Sequence, residues 1–153
     1  MVEIPALRRR DVLAGAVAHL VVLALPLRAM ARPDLQAAVR LFTGGADLRE
    51  GRVHLDIAPL VENGNAVPLT VDVDSAMRPE DHVRRIGIFN EKNPLADVAI
   101  FQFYPKSGRA RVSTRIRLAT SQQVVAVAEM SDGTYWGVAR GVVVTLAACI
   151  EGL

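Results

Sequence analysis

The fold is decided by the sequence VPLTVDV at residues 67–73, in which apolar residues alternate with Pro68, Thr70 and Asp72. Successive side chains of a β-strand point to opposite faces, so this alternation predicts a strand with one buried face and one face in water. The same alternation returns in VSTRIRL at residues 112–118. Two half-buried strands are therefore predicted in separate parts of the chain.

Further stretches rich in β-branched residues also favour strands. They lie at residues 53–58, 83–89, 96–104, 124–130, 134–138 and 141–146. Turn-forming residues separate many of them, as in Asn63-Gly64-Asn65, Asn93-Pro94 and Ser131-Asp132-Gly133. The sequence predicts an all-β protein, an antiparallel immunoglobulin-like β-sandwich of seven or eight strands. One short N-terminal helix is predicted at residues 34–42, because its apolar residues have helical spacing and Gly44-Gly45 follow.

The first residues have the pattern of an export signal. Arg8-Arg9-Arg10 precede an apolar run at residues 12–27, and Ala29-Met30-Ala31 then match the small-residue pattern of a cleavage site. The chain is thus predicted to divide into a signal peptide (1–31), a sandwich domain (32–146) and a flexible C-terminal arm (147–153).

The export route is predicted from residues 9–13, RRDVL, which resemble a twin-arginine signal and imply a periplasmic location. The alternative is an uncleaved membrane anchor. His19 interrupts the apolar run and Pro26 ends it, so the run is short for a span of about 20 residues. We expect no stable membrane span after cleavage.

Charge and histidine content narrow the function. The 153 residues suit one domain, and residues 32–153 carry 14 basic and 14 acidic side chains, which argues against a nucleic-acid partner. Beyond the signal the only histidines are His54 and His82, and no phosphate loop, His-Glu-x-x-His or Cys-x-x-Cys occurs. The sequence therefore predicts no catalytic constellation of its own and no cofactor.

Two sets of side chains contain residue types that bind metal ions. His54 and Asp56 share one face of a predicted strand, but two ligands are too few for a metal site. Asp56, Asp72 and Asp74 lack the spaced loop of oxygen ligands that calcium requires. We predict that these side chains, and His82 beside Asp81, are solvated surface groups.

Cys149 is the single cysteine, so it cannot form an internal disulfide. It lies three residues beyond the last predicted strand, in a tail of the kind that is usually accessible. Two interpretations remain open at this point. The thiol is presented to other proteins, or it packs as a small hydrophobe between Ala148 and Ile150.

Three segments resemble the SoxY family, the substrate-carrying subunits of the periplasmic thiosulfate-oxidising Sox system. They are ENGNAVPLTV at 62–71, VSTRIRLA at 112–119 and VVAVAEMSDG at 124–133. The resemblance implies an immunoglobulin-like fold, a heterodimer with a SoxZ-like subunit, and a C-terminal arm whose cysteine holds sulfur compounds covalently for periplasmic sulfur-processing enzymes. By position that cysteine is Cys149.

The arm differs from the family's Gly-Gly-Cys-Gly-Gly ending. Here it reads Ala147-Ala148-Cys149-Ile150-Glu151, which is similar to a SoxY-related subgroup with an AACIE arm. Alanine and isoleucine restrict and widen a backbone that glycine would leave free. The carboxylates of Glu151 and the chain end disfavour the thiolate.

The leading hypothesis is a carrier without catalytic activity, with Cys149 as the attachment site. The alternatives are a binding or scaffold subunit that pairs with a SoxZ-like protein without carrying sulfur, and a thiol oxidoreductase. A thiol oxidoreductase is disfavoured because the chain has neither a second cysteine nor a base to activate the first.

Export by the twin-arginine route predicts that the mature chain begins at Arg32 and that Arg9 and Arg10 are both required. Replacing both with lysine should keep the precursor in the cytoplasm, because the positive charge remains but the paired guanidinium groups are lost. Cell fractionation and N-terminal sequencing measure this outcome. Undiminished periplasmic accumulation of the double variant would exclude the twin-arginine route.

Overall fold

The computed structural model describes residues 34–147, and the predicted signal peptide and residues 148–153 lie outside them. The described chain begins with helix α1 (Leu35–Thr43). Nine strands follow within residues 34–147: β1 (Leu48–Arg49), β2 (Val53–Ile57), β3 (Leu60–Asn63), β4 (Val67–Val73), β5 (Val83–Asn90), β6 (Asp97–Gln102), β7 (Arg111–Ile116), β8 (Gln122–Met130) and β9 (Tyr135–Leu146). A 3₁₀ turn at Pro105–Ser107 separates β6 from β7.

The strands form two sheets that face each other. The larger sheet has the order β1-β9-β8-β5-β6, and β3 also pairs with β9. The smaller sheet has the order β2-β4-β7. The prediction of an all-β immunoglobulin-like sandwich with a short leading helix is confirmed.

The core lies between the sheets, where the alternation of β4 predicts it. Val67, Leu69, Val71 and Val73 are at most 3% exposed, whereas Pro68 points to solvent. Their partners across the core come from β5 and β8, which are buried along most of their length. Strand β8 is buried on both faces because the small sheet covers one face and α1 packs over part of the other.

Helix α1 is fixed at both ends and by one aromatic side chain. The Asp34 carboxylate accepts a hydrogen bond from the Ala37 amide at 2.8 Å, and Gly44 ends the helix with φ 63°. Phe42 lies edge-on to Phe89, with ring centroids 5.5 Å apart. Gly87 permits this approach, because an added Cβ would lie 3.1 Å from the Phe42 ring and 2.6 Å from Phe89.

The strand count and pairing differ from the prediction. The stretches 134–138 and 141–146 are one continuous strand, β9, because β8 pairs with it across the Arg140-Gly141 step. Most strand pairs are antiparallel, as predicted, and the larger sheet also contains two parallel pairs. Both β1 and β3 run parallel to β9, and they contain only two and four residues, too few for a periodic pattern.

Among the described residues, none forms a helix that combines the length and the apolar character needed to cross a membrane.

Helix α1 offers a matched pair of variants, since Phe42 is 7% exposed and the adjacent Leu41 is 76% exposed. Phe42→Ala should lower the free energy of unfolding by about 3 kcal/mol through lost burial and a cavity. Leu41→Ala should change it by less than about 0.5 kcal/mol. Urea unfolding measures both values. Equal losses would contradict the packing of α1 on β5 and β8.

Candidate functional site

The candidate site is the end of β9, where the chain leaves the sandwich towards Cys149. Strand β8 pairs with β9 only from Tyr135 to Val142. From Val143 onwards, β3 takes over along the opposite edge in parallel register, with Leu60 opposite Val143. The β9 backbone is therefore supported up to Leu146, four residues past its pairing with β8.

A tight turn completes this support at the last residue of the strand. The amide of Gly64 donates a hydrogen bond to the Leu146 carbonyl at 2.8 Å, and the Gly64 carbonyl accepts one from the Leu118 amide at 2.8 Å. The Asn63 side-chain oxygen accepts from the amide of Asn65 at 2.9 Å and from its side chain at 3.1 Å. These bonds form an Asx turn, which orients Gly64 so that it bonds to both Leu146 and Leu118.

The loop between β7 and β8 is held beside this turn. The Asn93 side chain donates to the Arg117 carbonyl at 2.8 Å and accepts from the Ala119 amide at 3.0 Å. The buried side chain of Gln122 donates to Asn93 at 2.8 Å. This network fixes the loop that contains Leu118 and Ser121. Sequence analysis identified Asn63-Gly64-Asn65 and Asn93-Pro94 only as turns and missed their role at the end of β9.

Of the predicted arm residues, the structure describes Ala147 alone, and it is exposed. Ala148, Cys149, Ile150 and Glu151 lie outside the described residues, as do Arg9 and Arg10 of the predicted signal. Cys149 follows Leu146 by three residues, a contour of about 10 Å when fully extended. The end of β9 consequently limits where the thiol can be.

Three of the side chains considered for metal binding, His54, Asp72 and Asp74, have other partners. The Nε2 atom of His54 lies 2.8 Å from Asp74 rather than beside Asp56, and Asp72 pairs with Arg109 at 2.6 Å. Within residues 34–147, no group of three or more histidine, cysteine, aspartate or glutamate side chains is placed to hold a metal ion. His54 and Asp72 lie on β2 and β4 of the smaller sheet, where each contacts a neighbouring polar side chain.

The pair Asp81 and His82 has a structural role. The Asp81 carboxylate pairs with Arg52 at 3.4 Å, and His82 Nδ1 lies 3.2 Å from the carbonyl of Arg78. Both residues thereby order the segment that leads into β5.

Glu129 is a buried charged residue that was not predicted from the sequence. Glu129 is 6% exposed on β8 and pairs with Arg84 at 3.1 Å and with Arg85. Arg85 also lies over the Phe42 ring, 4.6 Å from its centroid. A lone glutamate within a strand pattern gives no signal of such partners. The cluster joins β5, β8 and α1, and it is structural.

Among residues 34–147, the one clear pKa shift lies at the other end of β9. In the turn before β9, the hydroxyl and amide of Thr134 both donate to Asp132 and lower the pKa of that carboxyl. This shift stabilises a hairpin turn and is remote in the chain from Leu146.

The chain is similar to proteins of one known family in both sequence and structure. The family model described as sulfur oxidation protein SoxY matches residues 21–149, a match that ends at Cys149. The chain belongs to the SoxY family. The sulfur carrier protein SoxY from Chlorobium limicola f thiosulfatophilum is 27% identical and superposes with a TM-score of 0.62, covering 74% of this chain and 97% of that one. No curated protein matches the chain. The resemblance to SoxY is confirmed.

Other structures similar to this SoxY-family chain share its fold alone. The superoxide reductase (neelaredoxin) from Ignicoccus hospitalis is 15% identical, with a TM-score of 0.55 over 61% of this chain and 80% of that one. The superoxide reductase from Nanoarchaeum equitans is 11% identical, with a TM-score of 0.52 over 63% of this chain and 100% of that one. A common sandwich does not transfer an activity, because function depends on the site that each fold carries.

Proposed function

We propose that this SoxY-family chain is a carrier subunit that holds a sulfur compound covalently on Cys149 while partner enzymes act on it. The observation that carries the proposal is the pairing of β9 as far as Leu146, only three residues before the cysteine. A thiol three residues beyond a paired strand is tied closely to a folded domain. The family match, which extends to Cys149, supports the same assignment.

The chemistry of loading requires a partner enzyme. For thiosulfate, joining the Cys149 thiol to the outer sulfur forms one S–S bond, releases one proton and withdraws two electrons. Those electrons must pass to an electron-accepting enzyme. A free thiol has a pKa of about 8.5, so only a few per cent is thiolate at neutral pH. The enzyme that loads the arm therefore has to promote ionisation of the thiol.

The sequence of the arm sets a requirement on that enzyme. Ala147, Ala148 and Ile150 carry Cβ atoms where a glycine arm has none. Side chains exclude backbone conformations with positive φ and increase the width of the arm. A receiving site for this chain therefore has to be wider than one shaped for glycine. Selectivity between the two kinds of arm follows from this steric difference.

The partner and the location are parts of the same proposal. A SoxZ-like subunit and periplasmic sulfur-processing enzymes are the partners that family membership supports. The twin-arginine pattern at Arg9 and Arg10 supports export of a folded chain, which could cross together with a partner that lacks a signal. The carrier needs no catalytic groups of its own under this proposal, because the partner enzymes supply them.

The carrier proposal predicts that Cys149 is indispensable and that the fold does not depend on it. In a strain whose only copy carries Cys149→Ser, thiosulfate-dependent oxygen uptake should fall to the rate of a deletion strain. The stability of the purified variant should change by less than about 0.5 kcal/mol, because a side chain near the chain end contributes little burial.

Ala147→Ser is the matched control, since it places the same hydroxyl on the arm and keeps the thiol. This control should retain most of the uptake rate, and immunoblotting should find equal periplasmic amounts of both variants. Undiminished oxygen uptake with Cys149→Ser would refute the carrier function.

A further inference from the structure

The last four residues of β9 are held by contacts that the β8 ladder does not provide. The Val143 amide donates to the Pro59 carbonyl at 2.8 Å, and the Val144 amide donates to the Ser121 hydroxyl at 2.9 Å. The Thr145 hydroxyl donates to the Glu62 carbonyl at 3.1 Å. Together with the bond from Gly64 to Leu146, these contacts support every residue from 143 to 146.

We propose that Ser121 and Asn63 are positioning residues that keep β9 paired as far as Leu146 and so fix the point from which the Cys149 arm starts. The inference rests on the proposed carrier function for its biological meaning. The position of the end of β9 is set by the hydrogen bonds of Ser121, Asn63 and Gly64, whatever the arm carries.

Ser121 acts as a substitute for a strand residue. It precedes β8, and its hydroxyl lies 2.9 Å from the Val144 amide and 3.5 Å from the Val144 carbonyl. One side chain thus meets both backbone groups of Val144 on the edge that β8 leaves open. Without the hydroxyl, the Val144 amide would have only water on that edge, and strand ends with exposed hydrogen bonds open readily.

Asn63 acts on the opposite edge. It is the last residue of β3 and the register partner of Leu146, and its side chain closes the turn that aims the Gly64 amide at the Leu146 carbonyl. Replacing Asn63 with alanine removes the side-chain oxygen that closes the Asx turn and leaves the backbone atoms of β3 in place. The two side chains therefore hold the strand end from its two edges.

The consequence is a short and defined reach. With β9 paired to Leu146, three residues separate the strand from Cys149, about 10 Å at full extension. If the strand frayed back to Val142, seven residues would separate them, about 23 Å at full extension. A longer free segment loses more conformational entropy when it is ordered in a receiving site. The junction thus sets how far Cys149 can lie from the paired end of β9.

The test measures the reach directly, without a substrate. The full mature chain receives nitroxide labels at Cys149 and at Arg115→Cys, an exposed position on β7, and pulsed EPR gives the distribution of distances between them. The double variant Ser121→Ala, Asn63→Ala should roughly double the width of this distribution, as the contour estimate implies. Ser121→Thr, which keeps the hydroxyl, should preserve the original width.

Ser107→Ala is the matched control, because it also removes a hydroxyl that accepts from a backbone amide, that of Tyr104 at 3.1 Å, in the turn after β6. It should leave the distribution unchanged. Equal widths for the wild type and the double variant, with circular dichroism showing both folded, would overturn the proposal. Since Cys149 carries a label and no sulfur compound, this result is independent of whether Cys149 is the carrier site.

Discussion

Strand β9 has twelve residues, and β8 pairs with eight of them. The rest of the candidate site depends on how the remaining four are supported. Backbone amides and carbonyls at a strand end need partners, and here β3, the turn at Gly64 and the hydroxyl of Ser121 provide them. The parallel strand β3 pairs with this part of β9, and Asn93 holds the loop before β8 beside it.

Much of the fold could be predicted from the sequence, because the two alternating stretches at 67–73 and 112–118 report burial on one face of a sheet. The helix was equally clear, since its apolar residues and its terminal glycines agree. The strands β1 and β3 were missed because two or four residues cannot show a period, and their pairing with β9 depends on distant parts of the chain. The continuity of β9 was missed because residues 139 and 140 were left between the two predicted stretches, although β8 pairs across them.

The candidate site was predicted only in part. Cys149 stood out because it is the single cysteine near a chain end. The support for its arm did not, because Asn63-Gly64-Asn65 has the composition of any turn, and its bonds to Leu146 and Leu118 join segments far apart in sequence. Conversely, the conspicuous residues His54 and Asp72 have side-chain partners in Asp74 and Arg109. These contacts order the surface of the sandwich.

The central claim is that Cys149 carries sulfur, and the most direct measurement is the mass of the native C-terminal peptide. The protein is isolated from its native cells without reductant and cleaved with trypsin, so that Cys149 lies in the peptide following Arg140. The account predicts a fraction of this peptide with a sulfur-containing adduct that reductant removes. A uniformly unmodified peptide, together with a thiol that resists alkylation in the native protein, would contradict it.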